Sequence, residues 1–349
     1  MAADAGRPAA VSGLNLADPR GPGISRERGI AGFSYFSPTG AEVTDALTLD
    51  RIRALAIPPA WEKVRISPDP LGHIQATGVD SRGRTQYLYH QRWRQQRDAQ
   101  KFAHMLRFAQ ALPALRAATI RDLGHLGLDR DRVIAAAVRL IDIGLFRIGG
   151  ERYAELDHHY GATTLEKRHV SFTPGAVRFD YVAKEGKRRT ITITDPAVQP
   201  TIRALAATGK EADALFTWYQ GGAWHRLHSH DVSSYIAARS AGHFTAKEFR
   251  TWNASVLMAL LLANAGPVTT ARGRMSAVTA GVRVVADWLG DTPSVARRSY
   301  IDPRLIARFL ADGNLPGIPG VPAELPPGHE AEIAVAALLA AAAAEEEHA

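Results

Sequence analysis

A single change of hydrophobic pattern, near Arg92, limits what this chain can fold into. Residues 32–89 consist of short apolar runs with strand-like alternation, separated by turn signals such as Pro38-Thr-Gly40. Beyond Arg92 the apolar residues recur at helical spacing, except around residues 177–193, where they alternate as in a β-hairpin. The sequence therefore predicts an α+β protein, with a small, mainly antiparallel β domain before a mainly α-helical domain that carries a β-hairpin insertion.

The same pattern divides the chain into four segments. Residues 1–25 are rich in Ala, Gly, Pro and Arg without periodicity, so we expect them to be disordered. The β-rich domain covers residues 26–92 and the helical domain residues 93–312. Residues 313–349 combine a Pro/Gly linker with an Ala-rich tail. Because Glu345–Glu347 oppose the helix dipole at the end of this tail, we expect a frayed, dispensable helix there.

Local signals fix several helix and turn positions in the second domain. Lys184-Glu-Gly186 predicts the tip of the hairpin, since glycine readily adopts the positive φ that such a tip requires. Thr245-Ala-Lys-Glu248 is a capping box that opens a helix. Gly290 stops another helix, and Thr292-Pro293 reads as an N-cap followed by proline at the first helical position. Tyr300 is therefore expected at the far end of a short helix.

The charge of the chain indicates a polyanionic partner. The formal net charge is +7 and the isoelectric point is near 9.8, which fits nucleic acid most simply. Seven Lys and Arg residues, among them Arg82 and Arg84, lie between residues 82 and 107 against the single acid Asp98. A solvated basic face is the plain explanation of such a run. The interleaved aromatic residues favour a surface for double-stranded DNA.

Composition also excludes several classes of site. The chain has no cysteine, so disulfides, thiolate zinc sites and thiol nucleophiles are excluded. The longest apolar runs are too short to span a bilayer, and no secretory signal is visible. We therefore expect a soluble intracellular protein, located in the cytoplasm, with no membrane partner.

Four residues suit transfer of a phosphodiester to a protein side chain. Arg147 and Arg250 are suited to bind the charged phosphoryl oxygens with paired donors, since guanidinium stays protonated. Lys184 is suited to protonate a departing alkoxide, and the Tyr300 phenol ionises more easily than a serine hydroxyl. This chemistry activates no water and conserves the bond energy, so it needs neither metal nor ATP. Taken singly, each of these residues is typical of a structural role.

Cofactor motifs are missing from the sequence. It contains no phosphate-binding Gly-x-x-x-x-Gly-Lys-Ser/Thr loop and no His-Glu-x-x-His helix. Two groups of histidines could suggest a metal site: His158-His159, and His225 with His228 and His230. Solvated histidines are the better interpretation, because no organised carboxylates accompany them. We therefore predict no cofactor and no metal.

Over roughly residues 27–311 the chain resembles a type IB DNA topoisomerase of the short bacterial and poxviral kind. Seven ordered blocks carry the resemblance: residues 51–61, 72–80, 83–90, 146–149, 160–165, 249–254, and 289–293 with 299–303. They include Phe146-Arg-Ile-Gly149, Phe249-Arg-Thr-Trp252 and Ser299-Tyr-Ile-Asp-Pro303.

The resemblance implies a role for each of the four residues. Tyr300 would form a 3′-phosphotyrosyl link, Arg147 and Arg250 would clamp the non-bridging oxygens, and Lys184 would protonate the 5′-oxygen. The two domains would close around duplex DNA as a C-shaped clamp, and the protein would act as a monomer that lets the nicked strand swivel before religation. It would be associated with the nucleoid and would have no small-molecule substrate. The candidate DNA contacts are Gln86, Tyr87, Tyr89, Tyr153, Arg82 and Arg84.

Two positions depart from the family pattern. Ala183 stands before the hairpin lysine, where relatives usually have glycine. Asp291 stands nine residues before the tyrosine, where relatives usually carry a His or Asn that can donate to a phosphate oxygen. An ionised Asp291 cannot donate and repels phosphate, whereas a protonated carboxyl would donate. We therefore include Asp291 among the catalytic candidates and expect a working but slower enzyme.

Two other functions remain open at this point. A tyrosine recombinase uses the same phosphoryl transfer, but typically begins with a helical clamp domain, whereas residues 32–89 are β-rich. A catalytically impaired DNA-binding protein descended from the enzyme is the second alternative, with Asp291 as the sign of decay. Retention of Tyr300, Arg147, Arg250 and Lys184 argues against it.

Overall fold

Strands dominate the first part of the chain and helices the rest. The computed structural model describes residues 13–30, 32–208, 213–321 and 327–347. The chain divides into two units, Met1–Phe102 and Ala103–Ala349. The predicted α+β fold, an antiparallel sheet followed by a helical domain, is confirmed. None of the helices in the described ranges is long and apolar enough to cross a membrane.

The first unit consists of five strands and one helix: β1 Ile24–Gly29, β2 Gly32–Phe36, α1 Ala46–Ala54, β3 Glu62–Ile66, β4 Ile74–Val79 and β5 Thr85–Tyr89. The strands form an antiparallel sheet with the order β2-β1-β3-β4-β5. Val64 and Ile66 of β3 are buried in its core because they lie on the same face of the strand, and Ile52 of α1 packs with them.

The segment predicted to be disordered includes residues that the structure places against this sheet. Residues 1–12 lie outside the described part of the chain. The backbone of Asn15 accepts a hydrogen bond from His73 N (2.8 Å) and donates one to Leu71 O (2.9 Å). Ile24, the first residue of β1, is buried in the core. The ordered part of this unit therefore begins before residue 26.

The division between the two units falls within a single helix, α2, which covers Gln91–Leu123. The division falls after Phe102, whereas the change of sequence pattern placed the domain boundary at residue 92. The other helices of the second unit are α3 Arg130–Gly144, α4 Glu151–Asp157, α5 Gln199–Ala207, α6 Ser229–Ser240, α7 Ala246–Asn264, α8 Ala271–Leu289, α9 Pro293–Ser299, α10 Pro303–Asp312 and α11 His329–Glu347.

Helix α7 lies at the centre of the second unit. It is buried around most of its circumference and packs against α3, α8, α10 and α11. The predicted capping box at its start is confirmed, since the Glu248 carboxylate accepts from Thr245 N (2.7 Å) and Thr245 Oγ1 accepts from Lys247 N (3.2 Å). This cap fixes where the helix begins, and Arg250 follows in its second turn.

The predicted hairpin belongs to a larger sheet, and a second hairpin was missed. Strands β7 Ala176–Val182 and β8 Arg188–Ile193 form the expected hairpin, and β6 Val170–Thr173 pairs with β7 as a third strand. A separate hairpin joins β9 Thr217–Gln220 to β10 Ala223–Arg226 through Gly221-Gly222. Its four-residue strands are too short for alternation to show, although the glycine pair is a turn signal.

The Ala-rich tail is a packed helix, so the prediction that it frays is wrong for its described residues. Val335 and Leu339 of α11 are completely buried, as is most of Glu332. The Glu332 carboxylate accepts from Arg116 Nη1 (2.6 Å) and from Trp252 Nε1 (3.2 Å). Alanine has little hydrophobic contrast in sequence, but its small side chain allows a helix to pack closely on α7.

We predict that this packing contributes measurably to stability. Leu339→Ala removes a fully buried side chain and should lower the free energy of unfolding by about 2–5 kcal/mol. The matched control is Ile333→Ala in the same helix, whose side chain is 57% exposed and whose loss should cost about 0.5 kcal/mol or less. Urea unfolding measures both variants. Equal effects would contradict the docked position of α11.

Candidate active site

Arg147 lies in the loop that follows α3, and its backbone is held on both sides. Leu145 ends the helix in the left-handed conformation (φ 51°), which turns the chain away from the helix axis. Phe146 is completely buried, with its ring stacked on Tyr181 at 5.6 Å. Arg147 O accepts a hydrogen bond from Ala162 N (2.8 Å). The guanidinium therefore projects from a fixed backbone, with its side chain 22% exposed.

Arg250 is a buried cation that joins the ends of two other helices. Its side chain is 4% exposed. Nη1 donates to Leu145 O at the end of α3 (2.5 Å), and Nη2 donates to Leu289 O at the end of α8 (2.9 Å). Its Nε is buried and has no hydrogen-bond partner among the described residues. A buried donor left unpaired costs about 1–3 kcal/mol, so this N–H is suited to an additional acceptor.

Asp291 bridges the two arginines with one carboxylate. Oδ1 accepts from Arg147 Nη2 (2.9 Å) and Oδ2 accepts from Arg250 Nη2 (2.7 Å). The predicted stop at Gly290 is confirmed. Gly290 ends α8 in the left-handed conformation (φ 64°), and Asp291 N donates to Ala286 O (2.9 Å). This turn fixes the backbone position of Asp291. No pattern in the sequence indicates that its carboxylate contacts both arginines.

Tyr300 lies beside Arg250 at the end of α9. Thr292 caps this helix and Pro293 opens it, as predicted. Arg250 Cζ is 5.1 Å from the centre of the Tyr300 ring, which is cation–π distance. Ser255, on the same helix as Arg250, donates from Oγ to Tyr300 O (3.2 Å). Helix α7 thus positions both the guanidinium and the tyrosine backbone.

Lys184 lies at the hairpin tip and is 63% exposed. Its ion pair among the residues described is with Glu185 (3.7 Å), and no hydrogen bond or ion pair there links it to Tyr300 or either arginine. Glu185 and Gly186 both have positive φ, 66° and 72°, which forms the tight turn. Ala183 has a φ of −97°, so the alanine found in place of glycine causes no backbone strain.

Sequence reasoning missed two side chains next to the arginines. Arg189, on β8, donates to Asp287 O (3.2 Å) and Trp288 O (2.9 Å) at the end of α8. Burial lowers the pKa of Arg189, and the charges of Arg250 and Arg147 lower it further against the effect of Tyr181. Burial likewise raises the pKa of the Tyr181 phenol. Arg189 shares the inward face of β8 with Ile191 and Ile193. A cation at an inward position of a predicted strand could have indicated a residue of the site.

The predicted DNA contacts of the first unit lie on the edge strand β5 or in the turn before it, and they are on different faces of the sheet. Tyr87 and Tyr89 are exposed on one face of β5, with ring centres 6.1 Å apart. Gln86 lies on the opposite face and donates to Asp80 Oδ2 (2.9 Å). Arg84 also pairs with Asp80 and is the main cause that lowers the pKa of that carboxyl to about 2.

Asp80 also orders the turn between β4 and β5, where it accepts from the backbone of Arg82 (2.9 Å). The remaining candidate contact, Tyr153, lies in the second unit on α4, six residues beyond Arg147. Its side chain is 61% exposed. The described residues contain no group of three or more His, Asp or Glu side chains placed to hold a metal ion.

We predict that Arg189 adds to the cost of replacing Gly290 by a residue with a side chain. A Cβ at Gly290 would lie 2.6 Å from Arg189 Nη1, whereas a Cβ at Gly175, which has a similar φ of 73°, meets nothing within 4 Å. Both alanine substitutions carry a backbone cost of about 1–2 kcal/mol. Gly290→Ala should cost about 1 kcal/mol more in urea unfolding, because Arg189 must give up a hydrogen bond. Equal losses, or an excess that persists with Arg189→Ala, would contradict this contact.

Comparison with known proteins identifies the family. Residues 90–305 match the model of the eukaryotic DNA topoisomerase I catalytic core, and residues 32–80 match that of the bacterial DNA topoisomerase IB N-terminal domain. The chain is 30% identical to DNA topoisomerase 1B of Acanthamoeba polyphaga mimivirus over 287 residues, which cover 80% of this chain and 85% of the viral protein.

A plant relative matches over a shorter stretch. DNA topoisomerase 1 beta of Arabidopsis thaliana is 28% identical over 169 residues, covering 48% of this chain and 17% of the plant protein. The two family models together cover strands β2, β3 and β4 of the first sheet, both arginines and Tyr300. The chain therefore belongs to the type IB DNA topoisomerases, a family of isomerases whose substrate is double-stranded DNA.

Proposed function

We propose that this protein relaxes supercoiled duplex DNA by cutting one strand transiently through Tyr300, without ATP or a metal ion. The observation that carries the proposal is the position of Arg250. Its buried guanidinium lies over the Tyr300 ring and shares the Asp291 carboxylate with Arg147. A phenol beside two convergent arginines is what attack on a phosphodiester requires.

The cleavage step balances as an exchange of one ester for another. The Tyr300 phenol loses its proton as its oxygen attacks phosphorus, the bond to the 5′-oxygen breaks, and the 5′-oxygen gains a proton. A 3′-phosphotyrosyl ester and a 5′-hydroxyl result. Arg147 and Arg250 stabilise the charge on the non-bridging oxygens at the transition state. After the free strand has rotated, the 5′-hydroxyl attacks the phosphotyrosyl bond and releases Tyr300. Bond energy is conserved, so relaxation needs no external energy source.

Lys184 is our candidate for the proton donor to the 5′-oxygen. Its exposed position at the tip of a tight turn leaves the ammonium able to reach a bound strand. A lysine that donates a proton to an alkoxide leaving group contributes about 10²–10⁴-fold to the rate. Lys187 lies on the same hairpin after the turn and serves as a matched control.

DNA binding is proposed to involve both units. The net charge of +7 supports binding to the DNA backbone, and the exposed rings of Tyr87, Tyr89 and Tyr153 are available for contacts. We propose that the protein is a monomer associated with the nucleoid and that its two units clamp duplex DNA. Gln86 is the weakest of the proposed contacts, since its amide is already bound to Asp80.

We predict that Tyr300→Phe abolishes both relaxation and covalent capture. Negatively and positively supercoiled plasmids are incubated with EDTA and without ATP, and a duplex labelled at the 5′ end of the cleaved strand is quenched with detergent. The wild-type protein should relax both plasmids and retain label on the peptide that contains Tyr300. Tyr219→Phe is the matched control, because that tyrosine is 57% exposed on the β9–β10 hairpin. Plasmid binding without a change of linking number would indicate a DNA-binding protein and contradict the proposal.

We predict that Lys184→Ala slows cleavage about 10²–10⁴-fold and that a better leaving group restores the rate. A duplex with sulfur in place of the 5′-bridging oxygen releases a thiolate, which needs no proton donor. Single-turnover cleavage of both duplexes should show rescue for Lys184→Ala and little effect for Lys187→Ala. Equal slowing on both duplexes would assign Lys184 to binding rather than to proton transfer.

A further inference from the structure

The carboxylate of Asp291 sits where the chemistry calls for a phosphate. Its two oxygens each accept one guanidinium N–H, from Arg147 at 2.9 Å and from Arg250 at 2.7 Å. The same guanidinium N–H groups would donate to the two non-bridging oxygens of a phosphodiester. The arginine pair is therefore already occupied by an anion that belongs to the protein itself.

A second observation shows that the carboxylate fills this site incompletely. Arg250 is almost fully buried, and its Nε finds no acceptor among the residues described. Its Nη atoms are bound to Leu145 O, Leu289 O and Asp291. A tetrahedral oxyanion offers more acceptor oxygens than a carboxylate, so it can supply the partner that this N–H lacks.

Asp291 is also placed so that it can leave. It follows Gly290, which ends α8 with a φ of 64°, and precedes Thr292, the cap of α9. Its side chain is 12% exposed, so the carboxylate lies at the edge of the buried region rather than within it. Rotation of one side chain between two fixed caps would free both arginines without moving either helix.

We propose that Asp291 is an internal competitor that occupies the phosphate site of the DNA-free protein and is displaced when the scissile phosphate binds. This inference rests on the proposed function for its substrate but not for its anion chemistry. Two like charges at contact repel, so the carboxylate and a phosphate exclude each other from the same donors. A small oxyanion must displace the carboxylate through its contacts with the arginines alone, whereas duplex DNA is also held by many backbone contacts. Asp291 thereby selects a phosphate within a duplex over free phosphates.

The strength of this competition is measurable with inorganic sulfate. An internal ligand weakens apparent affinity by the inverse of the fraction of time that the site is open, so about nine-tenths occupancy gives about a tenfold effect. Asp291→Asn keeps the shape of the side chain and removes its charge. At constant ionic strength, the full-length variant should bind sulfate at least about tenfold more tightly than wild type in calorimetry.

The control is Asp312→Asn, which also removes a carboxylate that pairs with an arginine, at the exposed contact with Arg308. It should bind sulfate as wild type does. If Asp291→Asn does not fold, as judged by circular dichroism, Asp291→Ser gives the same comparison. Sulfate binding by the folded variant that is equal to or weaker than wild type, or equally strengthened in Asp312→Asn, would overturn the inference.

The experiment separates this inference from the proposed function. If wild-type protein fails to relax plasmids, the proposed reaction is wrong, and the sulfate comparison still decides whether Asp291 competes for the anion site. If relaxation depends on Tyr300 but Asp291→Asn binds sulfate no better than wild type, the reaction stands and the internal competitor is wrong.

Discussion

The whole site depends on the hydrogen bonds of the buried guanidinium of Arg250. Because this cation is not solvated, protein groups must offset the cost of its desolvation. Carbonyls at the ends of α3 and α8 and the Asp291 carboxylate do so, and the Tyr300 ring lies against it. The same contacts that stabilise the charge therefore bring together the loop after α3, the turn after α8 and the end of α9.

If the proposed reaction occurs, this arrangement explains how a carboxylate at position 291 is compatible with it. The resemblance to type IB enzymes led us to expect a hydrogen-bond donor there, because an uncompensated acid near a phosphate would be unfavourable. In this chain the acid neutralises part of the charge of Arg147 and Arg250 before DNA arrives. We infer that stability of the free protein and availability of the phosphate site oppose each other at this residue.

Local signals predicted the positions of the helices well and their contacts poorly. The cap at Thr292-Pro293 and the stop at Gly290 depend on neighbouring residues, so the sequence was enough to place Tyr300 at a helix end. The contact of Asp291 with Arg147 joins residues 144 positions apart, and no local pattern encodes it. The docking of α11 was missed because an Ala-rich helix shows little contrast between its faces.

The most direct measurement is a crystal structure of Tyr300→Phe bound to a short duplex. We expect one backbone phosphate within hydrogen-bond distance of both Arg147 and Arg250 and next to the ring at position 300, with the Asp291 carboxylate no longer between the arginines. A structure in which Asp291 still holds both guanidiniums while every phosphate lies elsewhere would contradict this view of the site.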